Sequence, residues 1–238
     1  YDLYQNVEGI DFIIDGHSHT VMTAGKDGQP IQSTGTAFAN VGLIEIDNAT
    51  KKITANSLIK VDGTTPKDGE GAALAKKIKA GIDAAYGEVF AKTEVELNGA
   101  KDPGNRTQET NLGDLITDSM LWKIKQSAAD LNIAEENIVA ITNGGGIRAT
   151  IKKGNITKKD VNTVLPFGNT VAVVYVTGAE LLEALEASTY STPGAIGGFP
   201  QVAGINYTLS TAVAYDANAE TYPASTYYGP KSINRVVI

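Results

Sequence analysis

The segment NIVAITNGGGIR, residues 137–148, is the most informative part of the sequence about the fold. Its first half, NIVAIT (137–142), is a short apolar run with β-branched residues and predicts a strand that ends at the glycines. Three consecutive glycines let the backbone approach another group closely and present free N–H groups, and Arg148 adds a planar guanidinium donor. The segment therefore predicts either a ligand-binding strand end or a tight glycine turn that carries a surface arginine.

Residues 165–188 continue the pattern downstream. LPFGNT (165–170) places Phe167 between a proline and a glycine, where the ring either stacks on a flat ligand or is an ordinary core phenylalanine at a turn. VAVVYV (171–176) is strongly β-branched and predicts a buried strand. GAELLEALEAS (178–188) follows a threonine and carries a glutamate at the capping-box spacing, so it predicts a helix.

Upstream of the glycines, apolar residues recur at three- and four-residue spacing and predict a helix that begins near Thr110 or Asn111. The stripe consists of Leu112, Leu115, Ile116, Met120 and Ile124. VAGINYTLS (202–210) and SINRVVI (232–238) predict two further strands. Because helices and strands alternate, this half of the chain is predicted to be a mixed α/β domain.

Between residues 9 and 61 the sequence predicts short strands, with no helix after the first of them. GIDFIID (9–15) is an apolar run closed by GHSHT and predicts a buried strand that leaves into a loop. The other predicted strands are PIQST (30–34), VGLIEID (41–47) and KKITANSLIKV (51–61). The last two are joined by NATK and predict a hairpin.

A polar breaker, TTPKDGEG (64–71), separates the two halves. Apolar residues after it recur on one face and predict a linker helix of about five turns. They are Leu74, Ile78, Ile82, Ala85 and Val89. These changes in sequence pattern divide the chain into a first domain at 1–68, a linker helix at 69–92 and a second domain at 93–238.

The two histidines of the chain, His17 and His19, lie two residues apart in GHSHT. A loop at a strand end lets both imidazoles turn toward one metal centre, and Asp15 or Ser18 could orient a ring. The alternative is a surface turn in which the histidines only form hydrogen bonds. The spacing alone leaves both interpretations open.

Composition limits the function classes. The 238 residues carry a formal net charge of −7 and a pI near 4.9, which argues against a nucleic acid duplex as partner because backbone phosphates need a basic face. A small anionic ligand needs only a few local positive groups. Cysteine is absent, which excludes disulfides, thiolate metal sites and cysteine nucleophiles. No apolar run approaches the length of about 18 residues that a membrane span needs.

Several of these sequence segments resemble motifs of the 5'-nucleotidase family. GIDFIIDGHSHT is similar to the last metal-binding motif of the metallophosphoesterase superfamily, in its 5'-nucleotidase branch. NRTQETNLGDLITDSM, ITNGGGIR, VLPFGNTV and GGFPQVAGI resemble the family's C-terminal domain in order and spacing, over most of residues 94–205. The resemblance implies that residues 1–68 are the strand-rich end of an α/β-sandwich metallophosphoesterase domain. It also implies that residues 93–238 are an incomplete nucleoside-binding domain, so the chain is expected to be truncated at both ends.

The resemblance also implies roles for single residues. Arg106 and Arg148 resemble the arginines that contact the ribose and phosphate of the substrate. Asn143 resembles the asparagine that contacts the base, and Phe167 resembles one of two phenylalanines that sandwich it. Gly197 lies where the family's backbone approaches the base.

By the same resemblance, His17 and His19 would each serve one ion of a pair of divalent metals of the Zn or Mn type. Such a pair activates a water and stabilises charge on phosphoryl oxygens. The family's other ligands precede this motif, so a complete metal site is not expected in this chain. The second stacking phenylalanine and the ribose-binding aspartate are not expected either, because Asp216 and Tyr228 do not match their motif.

The function implied is hydrolysis of nucleoside 5'-monophosphates by the parent protein, with the isolated chain expected to be inactive. Hydrolysis of 2',3'-cyclic nucleotides, 3'-nucleotides or UDP-sugars, and a non-catalytic nucleoside-binding module, remain alternatives. A secreted, periplasmic or cell-surface location, in a bacterium, is expected. Four N-x-S/T sequons, at Asn48, Asn105, Asn155 and Asn206, are compatible with export. The sequence leaves the oligomeric state open.

Overall fold

A computed structural model describes residues 2–213 and 235–238. The chain forms two compact units, Tyr1–Lys76 and Lys77–Ile238. The division into residues 1–68, 69–92 and 93–238 stays a prediction.

The first unit is strand-rich, as predicted. It contains helix α1 (Asp2–Asn6) and strands β1 (Ile13–Ile14), β2 (Val21–Met22), β3 (Ile31–Thr34), β4 (Asn40–Ile46) and β5 (Ile53–Lys60). β1 pairs in parallel with β3, and β2 pairs with β3 in the antiparallel direction. β4 and β5 form the predicted antiparallel hairpin.

The prediction of a buried strand at residues 9–15 is wrong. β1 covers only Ile13 and Ile14, and Ile14 is 80% exposed. Its ladder with β3 has two residue pairs, Ile13 with Ile31 and Ile14 with Gln32. An apolar run gives a buried strand only where other elements cover both faces of the sheet, and the exposure of Ile14 indicates an open face.

Helix α2 (Gly69–Tyr86) confirms that a helix follows the polar breaker, but it ends before Val89. Gly87 closes the last turn by donating its N–H to the Asp83 carbonyl, 2.9 Å away. Val89 instead begins strand β6 (Val89–Thr93), where it lies opposite Thr157. The helical spacing of apolar residues includes Val89, which lies beyond the end of α2. The residues there are β-branched and aromatic, and such residues favour a strand.

The second unit mixes helices and strands. After β6 come α3 (Asn111–Lys125), α4 (Ala128–Leu131), β7 (Ala140–Asn143), β8 (Gly154–Thr157), α5 (Lys158–Val164), α6 (Gly178–Ser188), β9 (Pro200–Ala203), β10 (Thr208–Leu209) and β11 (Val236–Val237). The strands pair in three antiparallel ladders, β6 with β8, β7 with β9, and β10 with β11. This mixed α/β architecture is the predicted fold class.

Local capping signals fix two of the predicted helices, α3 and α6. Thr110 accepts the N–H of Gly113 and begins α3, one of the two caps expected. Thr177 and Glu180 form a reciprocal capping box that begins α6 at Gly178. Both helices therefore follow from residues within a few positions of their ends.

All fully buried apolar side chains in the described ranges lie between residues 97 and 236. The main cluster joins the loop before α3, α3 itself, the segment after β7, β8 and α5. It consists of Leu97, Leu112, Ile147, Ile151, Ile156 and Val164. One member of this cluster, Ile147, directly follows the glycine stretch at 144–146.

The prediction of a buried strand at residues 171–176 is wrong. The segment has no strand assignment, and Val174 and Tyr175 are largely exposed. An apolar cavity of about 340 Å³ is bounded by this segment and by residues 138–141. The hydroxyl of Tyr175 donates to the Leu131 carbonyl at 3.0 Å. A β-branched sequence forms a strand only if a neighbouring backbone completes its ladder, and here the cavity lies between 171–176 and the residues of β7.

In the described part of the chain, no helix is both long and apolar enough to cross a membrane.

Candidate functional site

The glycine stretch packs against a second loop of the same unit. β7 ends at Asn143, and Gly144–Gly146 form one turn of 3₁₀ helix. The N–H of Gly144 donates to the Phe199 carbonyl at 2.8 Å, and the N–H of Gly145 donates to the Gly197 carbonyl at 2.9 Å. Two of the N–H groups expected to face a ligand are therefore used within the protein, which corrects that expectation.

Close backbone packing explains why glycine is needed here. A Cβ at Gly144 would overlap the carbonyl oxygen of Asn105. A Cβ at Gly145 would lie 2.8 Å from the Gly197 carbonyl oxygen, whereas one at Gly146 would have its nearest contact at an ordinary 3.4 Å. The glycines thus join three chain segments at the end of β7.

The Asn143 side chain lies at the centre of this junction. Its Nδ2 donates to the Gly197 carbonyl at 3.1 Å. Within the described residues its Oδ1 accepts no hydrogen bond, and the residue is exposed. The carbonyl of Gly197 therefore fixes the amide orientation and leaves an acceptor open to solvent.

Arg106 reaches the same place from the loop before α3. Its carbonyl accepts the N–H of Ile196 at 3.0 Å, and its own N–H donates to the Lys101 carbonyl at 3.2 Å. Nη1 of Arg106 lies 4.0 Å from the position that a Cβ on Gly197 would take. The guanidinium of this half-buried residue is therefore next to Gly197.

Arg148 and Phe167 form the other side of the site. Nη1 of Arg148 donates to the Gly145 carbonyl at 3.1 Å, and its guanidinium carbon lies 5.7 Å from the centroid of the Phe167 ring. Phe167 is 60% exposed, so the alternative of an ordinary core phenylalanine is wrong. A cation above one ring face leaves the opposite face available to a planar group.

The structure thus brings together all five residues that the resemblance singled out in this unit. A continuous series of contacts runs from Phe167 through Arg148 and Gly145 to Gly197, where Asn143 and Arg106 meet. Two guanidinium groups supply local positive charge in a chain whose net charge is −7. The cluster offers an exposed aromatic face, an amide acceptor and two arginines.

A buried polar network supports this cluster and was missed from the sequence. The fully buried Asn105 accepts the hydroxyl of Thr110 through Oδ1 at 2.5 Å. The side chain of Gln201, 1% exposed, bonds to the same segment from strand β9. A single polar residue in a short strand suggests a solvent-facing position, so no local signal distinguished Gln201.

The burial of Asn105 also bears on the predicted sequons. Its amide Nδ2 donates to the Ala100 carbonyl at 3.3 Å, and the residue has no exposed surface. Asn105 cannot carry a glycan in the folded protein. Asn48, Asn155 and Asn206 are exposed.

His17 and His19 belong to the first unit. Both are exposed and both have left-handed backbone conformations, with φ of 63° and 60°. Imidazole is a suitable ligand type for Zn or Mn. In residues 2–213 and 235–238, however, no group of three or more His, Cys, Asp or Glu side chains is arranged to hold a metal ion. The residues present therefore do not complete a metal centre.

Asp216 and Tyr228, the positions compared with the family's remaining substrate contacts, lie outside the residues that the structure describes.

Comparison with known proteins places this chain among nucleotidases. Residues 89–222 match the family described as 5'-nucleotidase, C-terminal domain. The trifunctional nucleotide phosphoesterase protein YfkN of Bacillus subtilis is 37% identical, over 88% of this chain and 14% of that protein. The snake venom 5'-nucleotidase of Macrovipera lebetinus is 27% identical, over 87% of this chain and 57% of that protein.

A solved structure shows the same fold. The 5'-nucleotidase precursor from Thermus thermophilus superposes with a TM-score of 0.60 at 28% identity, covering 94% of this chain and 48% of that one. The chain therefore spans between about a seventh and somewhat over half of the length of these relatives. With more than half of its residues matched by the family, this chain belongs to the 5'-nucleotidase C-terminal domain family.

Proposed function

We propose that this chain binds the nucleoside part of a nucleotide. In a longer protein that contains it, we propose hydrolysis of nucleoside 5'-monophosphates to nucleoside and phosphate. The observation that carries the proposal is the exposed Phe167 ring, supported on one face by Arg148, beside the amide of Asn143.

Each group of the cluster has a matching part in a nucleoside. The free face of Phe167 stacks on the base, which contributes about 1–3 kcal/mol in comparable sites. The open Oδ1 of Asn143 accepts a hydrogen bond from the base edge. Arg106, held next to Gly197, donates to the ribose or the phosphate.

The metal part of the proposal rests on the resemblance. His17 and His19 would each serve one of two divalent ions of the Zn or Mn type, and a pair of such ions supplies an activated water for phosphate ester hydrolysis. The ligands that complete the pair are proposed to come from other parts of the longer protein. The contribution of the present chain is therefore binding and orientation of the nucleoside.

The phosphate position is the open choice within this proposal. Asn143 and Phe167 would recognise a base and not a phosphate position, and the B. subtilis relative is named a trifunctional nucleotide phosphoesterase. Cyclic 2',3'-nucleotides, 3'-nucleotides and UDP-sugars are thus alternative substrates. We also propose that the protein is exported, in line with the venom and precursor relatives.

A non-catalytic nucleoside-binding module is the second candidate. It is favoured by the position of the aromatic, amide and guanidinium groups of the cluster in a single unit. In that case the chain alone binds adenosine and the longer protein shows no metal-dependent turnover.

The test compares hydrolysis of AMP, 3'-AMP, 2',3'-cyclic AMP and UDP-glucose by the full-length gene product, with Mn²⁺ or Zn²⁺ added. Phe167→Ala is expected to raise KM for AMP about tenfold or more. The matched control is Phe90→Ala, because Phe90 is 58% exposed and lies in β6. Equal KM values for Phe167→Ala and wild type would refute the stacking role. Unchanged turnover in His17→Ala would refute the metal role.

A further inference from the structure

Gln201 links strand β7 to the segment that carries Arg106. In β9 it lies directly opposite Thr142 of β7, one residue before Asn143. Its Oε1 accepts the backbone N–H of Thr110 at 3.1 Å. Its Nε2 donates to the carbonyls of Asn105 at 3.2 Å and Gln108 at 2.8 Å.

These three bonds hold the segment that carries Arg106. The carbonyl of Asn105 lies so close to Gly144 that a Cβ there would overlap it. Arg106 is the next residue, and its own carbonyl accepts the N–H of Ile196. The side chain of Gln201 thus determines where the backbone around Arg106 meets both the glycine turn and the Gly197 loop.

We infer that Gln201 is a positioning residue for nucleotide recognition: its buried carboxamide fixes the backbone of residues 105–110 so that Arg106 lies beside Gly197 and Asn143. This inference rests on the proposed function. Gln201 touches no substrate and acts only through Arg106.

The chemistry of the site explains why a glutamine is suited to this position. One acceptor and two donors are used at once, which a carboxamide supplies and a carboxylate or thioether does not. Loss of these bonds leaves the carbonyl of the buried Asn105 and the N–H of the buried Thr110 without partners, which is costly. The backbone is then expected to move toward other partners, and Arg106 moves with it.

The first test measures steady-state kinetics on AMP with Gln201→Met in the full-length gene product. KM is expected to rise about tenfold while kcat changes little, because Arg106 acts in binding. The control is Gln32→Met. Gln32 is also buried and its Nε2 also makes two hydrogen bonds, to Asn56 Oδ1 at 2.6 Å and the Ser57 carbonyl at 3.1 Å, but it lies in the first unit. The KM of the Gln32→Met variant is expected to match that of wild type.

The second test needs no ligand and uses hydrogen exchange in the 238-residue chain. The reporter is the N–H of Ile196, whose acceptor is the Arg106 carbonyl. The reference is the N–H of Leu97, which donates to the Ile151 carbonyl in the same unit. Gln201→Met is expected to speed exchange at Ile196 about tenfold more than at Leu97, whereas Gln32→Met leaves this ratio unchanged.

The outcomes separate this inference from the proposed function. If wild type neither hydrolyses nor binds nucleotides, the proposed function fails, and exchange at Ile196 still decides whether Gln201 holds the Arg106 segment. An unchanged KM in an active Gln201→Met enzyme, or equal acceleration at Ile196 and Leu97, overturns the inference.

A second variant guards against misfolding of Gln201→Met. Gln201→Glu keeps the acceptor for the Thr110 N–H but loses both donors when ionised. Protonation restores one donor, so the ratio of its KM to that of wild type is expected to fall as the pH is lowered. A ratio of one at neutral pH, or a ratio that does not change with pH, contradicts the positioning role.

Discussion

The guanidinium carbon of Arg148 lies 5.7 Å from the centroid of the Phe167 ring, while Nη1 of the same arginine is bound to the Gly145 carbonyl. The backbone N–H of Arg148 is also fixed, by the Val164 carbonyl at 2.9 Å. Arg148 is therefore held through both its backbone N–H and its guanidinium group while it lies near the aromatic ring. The resemblance assigns arginines of this type to the ribose and phosphate, and the geometry adds a contact with Phe167.

Replacing Arg148 by alanine is expected to weaken adenosine binding to the chain about fivefold, because the cation that supports Phe167 is lost. Arg148→Lys is expected to recover only part of this affinity, since an ammonium lacks the planar fork that bonds to Gly145 while covering a ring. Calorimetric titration gives the dissociation constants. Lys123→Ala removes the same charge from an exposed position on α3 and serves as control. Equal affinity of Arg148→Ala and wild type would show that the contact has no role in binding.

Gly144→Ala is expected to destabilise the second unit by about 1–3 kcal/mol, because the new methyl group overlaps the Asn105 carbonyl and forces the backbones apart. The control is Gly81→Ala in the middle of α2, where a Cβ meets nothing within 4 Å. That change is expected to stabilise by about 1 kcal/mol through helix propensity. Urea unfolding of both variants measures the two free energies. The same sign for both would contradict the close packing at Gly144.

Asp83 is expected to give α2 an acid-sensitive attachment to α5. Its carboxylate binds Lys159 of α5 at 2.5 Å and Lys79 of its own helix at 2.6 Å, and the hydrogen bond to Lys159 is the main cause that lowers its pKa to about 2. A lowered folded-state pKa stabilises the protein above the ordinary value of 3.8, and this contribution is lost as the pH falls through about 2.

The corresponding measurement is the Tm of wild type and Asp83→Asn between pH 7 and pH 2. Wild type is expected to have the higher Tm at pH 7, by a small margin because the ion pair is exposed and screened by salt. The two Tm values should converge between pH 4 and pH 2. A difference that stays constant over this range would exclude the ion pair as its cause.

The parts of the fold that could be predicted have local causes. Helix α6 follows from Thr177 and Glu180 three residues apart, and α3 follows from Thr110 at its first turn. The segment at 171–176 shows the limit: its β-branched residues favour a strand, but pairing depends on a distant backbone, which the sequence does not place. The prediction of a buried strand at β1 failed for the same reason, because burial depends on which elements cover the sheet.

In the candidate site, too, some features could be predicted from local sequence and others depend on distant contacts. Four ordered motifs were sufficient to name Arg106, Asn143, Arg148, Phe167 and Gly197. Whether Phe167 lies in the core or in solvent depends on tertiary packing, so only its 60% exposure decided between the two predictions. Gln201 was missed because its partner Thr110 is 91 residues away, and no periodic pattern records such a contact.

Glu186 is expected to hold the C-terminal strand through a buried carboxylate. Its Oε1 accepts the backbone N–H groups of Arg235 and Val236, at 2.8 and 2.9 Å, while its buried Oε2 has no hydrogen-bond partner among the described residues. Glu186→Ala removes the acceptor of both N–H groups and is expected to cost about 2–3 kcal/mol of unfolding free energy. Glu186→Gln keeps the Oε1 acceptor and is expected to cost less.

Glu183→Ala is the matched control, because Glu183 lies exposed on the same helix, α6. Urea unfolding gives the three free energies, and hydrogen exchange at the N–H of Val236 shows whether β11 detaches. Exchange at Val236 should become faster in Glu186→Ala, slightly faster in Glu186→Gln and unchanged in Glu183→Ala. If Glu186→Ala and Glu183→Ala behave alike, the strand is held by its ladder with β10, in which Val236 lies opposite Leu209, and the carboxylate makes no separate contribution.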